Sequence, residues 1–274
     1  MTVDEALAHA RARCLERIDA QLLLAHTTGR SRAWLLAHGE NLLDGDQAAQ
    51  LVALVRRRAD GEPLAYLVGE KEFHGLALEV DARVLVPRPD TELLVDWAIE
   101  LLRGELTGRP QPRVLDLGTG SGAIALALKR ACPAIEMHAV DASAPALAVA
   151  QRNAERLGLD VHFAHGSWWQ ATQPGMRFDL AVANPPYIAA GDVHLAALRH
   201  EPAQALTPGP SGMEALQTIV GAARPHLAEG TWLLLEHGFD QAAAVAGLLA
   251  NHGFDAVATR HDLAGHARCT GGRV

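Results

Sequence analysis

Val114-Leu115-Asp116-Leu117-Gly118-Thr119-Gly120-Ser121-Gly122 marks a sharp change of character along the chain. Val114-Leu115 reads as a short buried strand, and Ala123 to Arg130 as a helix that starts where the glycines end. Glycine tolerates a tight turn and lets a ligand approach backbone that a Cβ would shield. Strand, glycine turn and helix in that order build a binding crevice at the edge of an open α/β sheet. The spacing is Gly-x-Gly-x-Gly, with no Gly-Lys-Ser/Thr after it. A dinucleotide fingerprint and a P-loop both fit poorly. Asp116, just ahead of the glycines, would repel a pyrophosphate but can accept hydrogen bonds from an ammonium group. The expected cofactor is therefore a cation with an amino-acid end, such as S-adenosylmethionine.

Strands and helices alternate beyond this segment. Ile135 to Val140, Val161 to Ala164, Phe178 to Ala183 and Trp232 to Leu235 read as strands, with Ala256 to Arg260 and Ala267 to Thr270 closing the sheet. Pro145 to Leu157, Met213 to Leu227 and Gln241 to His252 read as helices. The fold class is α/β, with a mostly parallel sheet and helices on both faces. Upstream, residues 1 to about 68 read as helices only. Thr2-Val3-Asp4-Glu5 has capping-box spacing, a second helix runs from Asp19 to a stop at Gly29, Ser31 caps a short third, and a fourth spans Asp46 to Ala59. Glu70 to Phe73 and Leu76 to Val80 suggest a hairpin around His74-Gly75, followed by the extended run Val84-Leu85-Val86. Asp90 or Thr91 can cap the next helix, which carries Leu94, Trp97 and Leu102. The expected organisation is a helical bundle over 1–68, a hairpin linker over 69–89 and a large sheet domain over 90–274.

The whole chain has 274 residues and carries 24 basic against 32 acidic ones, a formal charge of -8. Neutralising a phosphate backbone needs a basic surface, so generic nucleic-acid binding is disfavoured. Cys14, Cys132 and Cys269 are odd in number and far apart, which argues against a disulfide framework and fits a reducing compartment. The acidic start Met1-Thr2-Val3-Asp4-Glu5 does not resemble a signal peptide, and no apolar run approaches 18 residues. A cytoplasmic protein is expected. His162 with His165, and His261 with His266, lack companion cysteines or a His-Glu-x-x-His frame, so no metal is expected.

Two further segments carry chemistry. Asp141 ends the strand after the glycine loop, about 20 residues on, where an acid can accept the protons of both ribose hydroxyls; it could otherwise cap the following helix. Asn184-Pro185-Pro186-Tyr187 directly follows the apolar strand Phe178 to Ala183. The Asn184 side-chain oxygen and the Pro185 carbonyl are two acceptors, the prolines stiffen the loop, and Tyr187, one of only two tyrosines, offers a flat face. Two convergent acceptors and a ring suit a planar NH2 group. Adenine N6, cytosine N4 and a glutamine amide all qualify. Holding both hydrogens would aim the nitrogen at a reactive methyl, and positioning of this kind can contribute on the order of 7–11 kcal/mol.

Asp116 to Gly122, Asp141 and Asn184 to Tyr187 together resemble class I (Rossmann-like) S-adenosylmethionine-dependent methyltransferases acting on planar nitrogens. Leu85 to Glu92, the helical N-terminal region, Glu201-Pro202-x-x-Ala205-Leu206, Ser211-Gly212-Met213 and Leu235-Glu236-His237-Gly238 narrow this further, because they resemble the PrmC/HemK family over nearly the whole chain. That resemblance implies methylation of the side-chain amide nitrogen (N5) of the glutamine in the Gly-Gly-Gln motif of class I peptide chain release factors, modulating translation termination. It implies that Gly118, Thr119, Gly120, Ser121 and Gly122 contact the methionine end of S-adenosylmethionine and Asp141 its ribose. Trp168 would lie by the adenine, with Trp169 as the neighbouring candidate. Asn184 would touch cofactor and substrate, and Pro185, Pro186 and Tyr187 would complete the glutamine pocket. S-adenosylhomocysteine would be the product. The implied partner is a release factor, without nucleic acid or membrane, and the protein would act as a monomer. A nucleic-acid methyltransferase and a cofactor-binding scaffold without chemistry are the competing classes. Acidity counts against the first and an intact Asn184 to Tyr187 against the second.

Overall fold

Thr2 starts the first helix with the capping box its spacing predicts. Its hydroxyl accepts the Glu5 amide at 3.2 Å, and the Glu5 carboxylate accepts the Thr2 amide at 2.8 Å. Five helices follow one another: α1 (Val3–Ala12), α2 (Arg17–Thr28), α3 (Arg32–Ala37), α4 (Gly45–Ala59) and α5 (Leu64–Val68). Gly29 ends α2 in the left-handed conformation, at φ 66°. Asp44 and Gln47 form a second capping box at the start of α4. The apolar faces meet in one core that fully buries Val3, Leu23, Leu24, Leu35, Leu51 and Val55. This helical unit is Met1–Glu70, and a second compact unit is Lys71–Val274. The computed structural model describes all residues from 1 to 274.

A two-stranded hairpin, β1 (Glu70–Phe73) and β2 (Leu76–Glu79), turns at His74 and Gly75. Its buried Phe73, Leu76 and Leu78 join Leu94, Trp97 and Leu126 in one core cluster. The rest of the second unit runs α6 (Glu92–Arg103), β3 (Arg113–Leu117), α7 (Ala123–Ala131), β4 (Glu136–Asp141), α8 (Ala144–Leu157), β5 (His162–His165), β6 (Phe178–Ala183), α9 (Glu214–Ala223), β7 (Leu227–Glu236), α10 (Ala242–Asn251), β8 (Asp255–His261) and β9 (Ala267–Arg273). One seven-stranded sheet results, in the order β5-β4-β3-β6-β7-β9-β8. The first five strands are parallel and β9 pairs antiparallel with both neighbours. Central β3 and β6 are almost wholly buried, as expected where helices cover both faces.

Val84-Leu85-Val86 joins neither sheet. Two expectations change. The helix expected over Met213 to Leu227 stops at Ala223, because Pro225 lacks an N–H to continue it; a 3₁₀ turn intervenes and Leu227 already begins β7. Neither Asp90 nor Thr91 caps α6 with its side chain. Both lie in a 3₁₀ turn over Pro89–Thr91, and Thr91 is buried.

Gly271 in β9 shows how tightly the sheet packs. A Cβ there would lie 2.5 Å from Leu234 Cδ2 and 3.0 Å from both the Leu233 carbonyl and Trp97 Cη2. Gly271→Ala should destabilise the protein by about 1–3 kcal/mol, read as a lower urea midpoint with an unchanged slope.

Candidate active site

Leu117 pairs with Val140 of β4 on one side and with Ala183 of β6 on the other. The three strands therefore end level, and the glycine loop, Asp141 and Asn184 emerge at one edge of the sheet. The Val140 carbonyl accepts the amides of Gly118 at 2.9 Å and Thr119 at 3.0 Å, folding the loop back over β4. Asp141 then accepts the Gly120 amide at 2.9 Å and the Ser143 amide at 2.8 Å. Ser143, not Asp141, caps α8, accepting the Ala146 amide at 3.3 Å.

A cavity of about 550 Å³ opens at this edge, walled by Gly118, Gly120, Asp141, Trp168, Asn184 and Pro186 among others. Gly120, at φ 56°, faces open space, since a Cβ there would meet nothing within 4 Å. The other loop residues point elsewhere. Thr119 and Ser121 are buried, and the Thr119 hydroxyl donates to Asp116 at 2.7 Å. Gly122, at φ 86°, starts α7 so close to α8 that a Cβ would sit 3.2 Å from that of Ala150. Of the five loop residues, Gly118 and Gly120 thus line the cavity, while Thr119, Ser121 and Gly122 shape the turn behind it.

The adjacent tryptophans part company. Trp169 is 3% exposed, donates its indole N–H to the Ile219 carbonyl at 2.8 Å and stacks on His226. Trp168 lines the cavity, and Gly118 leaves it room, because a Cβ there would lie 3.1 Å from Trp168 Cζ3. A φ of 47° at Trp168 sends the two rings in different directions. That conformation costs on the order of 1–3 kcal/mol for a residue with a side chain.

A second cavity, about 420 Å³, is walled by Arg88, Asp90, Asn184, Pro185, Tyr187 and Glu201 among others. Asn184 and Pro186 belong to both walls. Asn184 donates its side-chain N–H to the Thr91 hydroxyl at 3.0 Å, and the Tyr187 hydroxyl donates to Glu236 at 3.2 Å. Gln241 donates to the Tyr187 carbonyl at 3.1 Å, fixing the loop's far end. Glu201, almost fully buried, accepts the Val86 amide at 3.0 Å and pairs with Arg88. It therefore ties the Val84–Val86 run to the cavity rim. That run, Thr91 and Glu236 are the site residues that the chain's periodicity did not mark out.

Several ionisable groups are perturbed. Burial pushes Asp116 up to about 7, although the Thr119 hydroxyl holds it back, and its Oδ1 has no hydrogen-bond partner. Burial likewise raises Asp141 against the pull of the Ser143 and Gly120 amides. Glu236 rises to about 7 for the same reason, and burial with the nearby Glu236 charge raises Tyr187. A separate trio, Glu136, His138 and His162, brings its ligand atoms within 4.8 Å of one another. Both Glu136 oxygens are already engaged there, by His138 at 2.8 Å and by Arg113 at 3.0 Å.

Comparison with known proteins agrees with this architecture. Residues 92–211 match the Methyltransferase small domain, and residues 5–69 match the PrmC N-terminal domain. A release factor glutamine methyltransferase of Bordetella pertussis is 49% identical over 260 residues, covering 94% of this chain and 95% of that one. The Escherichia coli protein of the same name is 44% identical over 273 residues, covering 98% and 96%. This chain belongs to the release factor glutamine methyltransferase family. In fold it is similar to a Pyrococcus furiosus methyltransferase (TM-score 0.53, 19% identity, 72% of this chain and 87% of that one) and to the hMettl16 catalytic domain (TM-score 0.59, 14% identity, 91% and 90%). No helix is long and apolar enough to cross a membrane.

The tryptophan pair gives opposite expectations within this family site. Trp169→Ala should cost about 3–5 kcal/mol of stability through the cavity it leaves. Trp168→Ala should keep the melting temperature but weaken S-adenosylmethionine binding by about 1–3 kcal/mol, the worth of one stacked base, measured by calorimetry. Asp116 gives a pH expectation. Its pKa is raised on folding, from 3.8 to about 7, so the folded state holds the proton longer. The stability it contributes is complete below about pH 4 and is lost as pH rises through 7, on the order of 4 kcal/mol. Asp116→Asn should flatten this slope, seen as a smaller loss of cofactor-free melting temperature between pH 5 and 8.

Proposed function

We propose that this protein transfers a methyl group from S-adenosylmethionine to the side-chain amide nitrogen (N5) of the glutamine in the Gly-Gly-Gln motif of class I peptide chain release factors, acting in the cytoplasm as a monomer. The observation that carries this reading is Asn184, which stands in the wall common to the two cavities. The larger cavity has the features an S-adenosylmethionine site needs. Its glycine backbone is open at Gly120, and its wall includes Asp141, which would accept the ribose hydroxyls, and Trp168, whose ring would lie by the adenine. When bound there, the cofactor supplies an electrophilic methyl group and leaves as S-adenosylhomocysteine.

The chain's own residues would handle the glutamine. An amide nitrogen is a poor nucleophile because its lone pair is delocalised into the carbonyl. With its N–H given to Thr91, Asn184 keeps its oxygen for one amide hydrogen of the glutamine, and the Pro185 carbonyl would take the other. Together they aim the nitrogen and draw off positive charge as it develops on N–H, a form of transition-state stabilisation. Tyr187 and Pro186 would flank the plane of the amide. The helical residues 1–68 would recognise the release factor, residues 69–89 would link, and residues 90–274 would carry the chemistry.

Asn184→Ala should lower turnover by about 100-fold or more while leaving cofactor affinity within about fivefold, because the glycine loop, Asp141 and Trp168 remain. The direct test incubates the protein and labelled cofactor with a purified class I release factor, with the same factor lacking the motif glutamine, and with nucleic acid. Label in the intact factor alone is expected. Label in nucleic acid alone would overturn the reading.

A further inference from the structure

Gln241 sits half-buried at the start of α10, at the end of a short corner that begins where β7 stops at Glu236. Its backbone amide donates to the Gly238 carbonyl at 2.9 Å, and its side-chain oxygen accepts the Gly238 amide at 2.8 Å. That reciprocal pair fixes the orientation of the side-chain amide, because a backbone N–H can only donate and so must face the oxygen. The NH2 end points the other way and meets two carbonyls. It donates to Tyr187 at 3.1 Å and to Gly212 at 3.5 Å. Both polar atoms of the Gln241 side chain are thereby engaged.

Gly212 closes the contact from another side. It stands at φ 76°, a conformation that favours glycine, and a Cβ there would lie 2.5 Å from the Tyr187 carbonyl oxygen and 3.1 Å from the Ala189 amide nitrogen. The Tyr187 hydroxyl meanwhile donates to Glu236 at 3.2 Å. One tyrosine is thus held at both ends by one corner, its carbonyl by Gln241 and its hydroxyl by Glu236. A ring tied at one end can swing, whereas a ring tied at both keeps its angle. Resting on the methyl-transfer reading above, we infer that Gln241 is a positioning residue of the reaction. Through the Tyr187 carbonyl it sets the angle at which Tyr187 stands in the wall of the smaller cavity.

The Asn184–Tyr187 loop needs such a hold from outside. Two of its four residues are prolines without an N–H to donate, so its bracing falls on acceptors such as the Tyr187 carbonyl. Gln241 lies outside the walls of the larger cavity, so its loss leaves the cofactor site as it is. What changes is the flat wall against which the glutamine amide would lie. Misplacing a reacting group by about 1 Å can cost about 100-fold in rate. The loss should therefore fall on turnover and spare cofactor binding.

Gln241→Glu tests this selectively. It keeps the shape and the oxygen that accepts the Gly238 amide, but once ionised it has no hydrogen for Tyr187 or Gly212. Gln241→Met removes all three bonds at similar length. With saturating cofactor and a purified release factor, both should lower kcat by about 10–100-fold, while affinity for S-adenosylhomocysteine, measured by calorimetry, stays within about twofold. In a Tyr187→Ala background neither should lower kcat further, because the loss acts through Tyr187. A second readout needs no turnover. The chain has two tyrosines, Tyr66 and Tyr187, so NMR of protein isotope-labelled on its tyrosine rings shows two sets of signals, which Tyr187→Phe assigns. Gln241→Glu should move the Tyr187 signals and leave those of Tyr66 in place. Wild-type kcat in Gln241→Glu, an undiminished loss in the Tyr187→Ala background, or unmoved Tyr187 signals each overturns the inference. If Gln241→Glu does not fold, Gln241→Met decides by the same readouts. A wild-type protein that methylates no release factor but shows the Gln241-dependent shift of Tyr187 would overturn the functional reading alone.

Discussion

Level endings of three parallel strands are the constraint on which the site depends. Leu117, Val140 and Ala183 stand side by side across β3, β4 and β6. Because the ladder stops there, the Val140 carbonyl is free to accept two amides of the glycine loop, and Asp141 follows at once with a carboxylate for a third. A slip of one residue would send each side chain to the opposite face of its strand. Asp141 would lose Gly120, and Asn184 would leave the wall between the cavities. The register is protected by what it buries, since the strands on which it rests bring Leu115, Leu117, Val182 and Ala183 to zero exposure. Apolar packing thus holds polar groups at positions set to within a hydrogen-bond length.

The same packing places acids where they are poorly solvated. Asp116 and Glu236 are both buried, each has one oxygen without a partner, and each has its pKa near 7. Neither is a favourable choice for stability alone, because a buried carboxyl that must ionise lowers the stability of the fold. They flank the site from two sides, Asp116 beneath the glycine loop and Glu236 behind Tyr187. A fold held by its apolar strands can carry such groups, and natural proteins keep them where function requires them.

Much of this was legible in the sequence, and the gaps have physical causes. Strand, glycines, helix and the two acids are local signals, so Asp116 to Gly122, Asp141 and Asn184 to Tyr187 stood out from spacing and chemistry. Thr91 did not, because a threonine ahead of an apolar helix reads as a cap; only the folded chain turns its hydroxyl away from α6 and towards Asn184, 93 residues on. Glu236 fell just past the strand read over Trp232 to Leu235, and its burial follows from β9 pairing beside it. The choice between Trp168 and Trp169 hung on one backbone angle at Trp168, which has no signature in the residue types around it. The helix expected to run to Leu227 failed at Pro225, where the chain turns into β7.

Charge at the smaller cavity bears on what it can accept. Its arginine is spoken for, since Arg88 pairs with buried Glu201, and the acid on the same rim, Asp90, pairs with Arg268. Paired charges cancel at short range and leave little field to draw a phosphate. The chain as a whole, at -8, adds repulsion. A nucleobase would have to enter with its backbone phosphates unneutralised, whereas a glutamine arrives neutral and needs two acceptors and a flat wall. On the proposed reading, Asn184, Pro185 and Tyr187 in the cavity wall would supply those. On that reading, selectivity would lie as much in the cations the site has tied up as in the acceptors it presents.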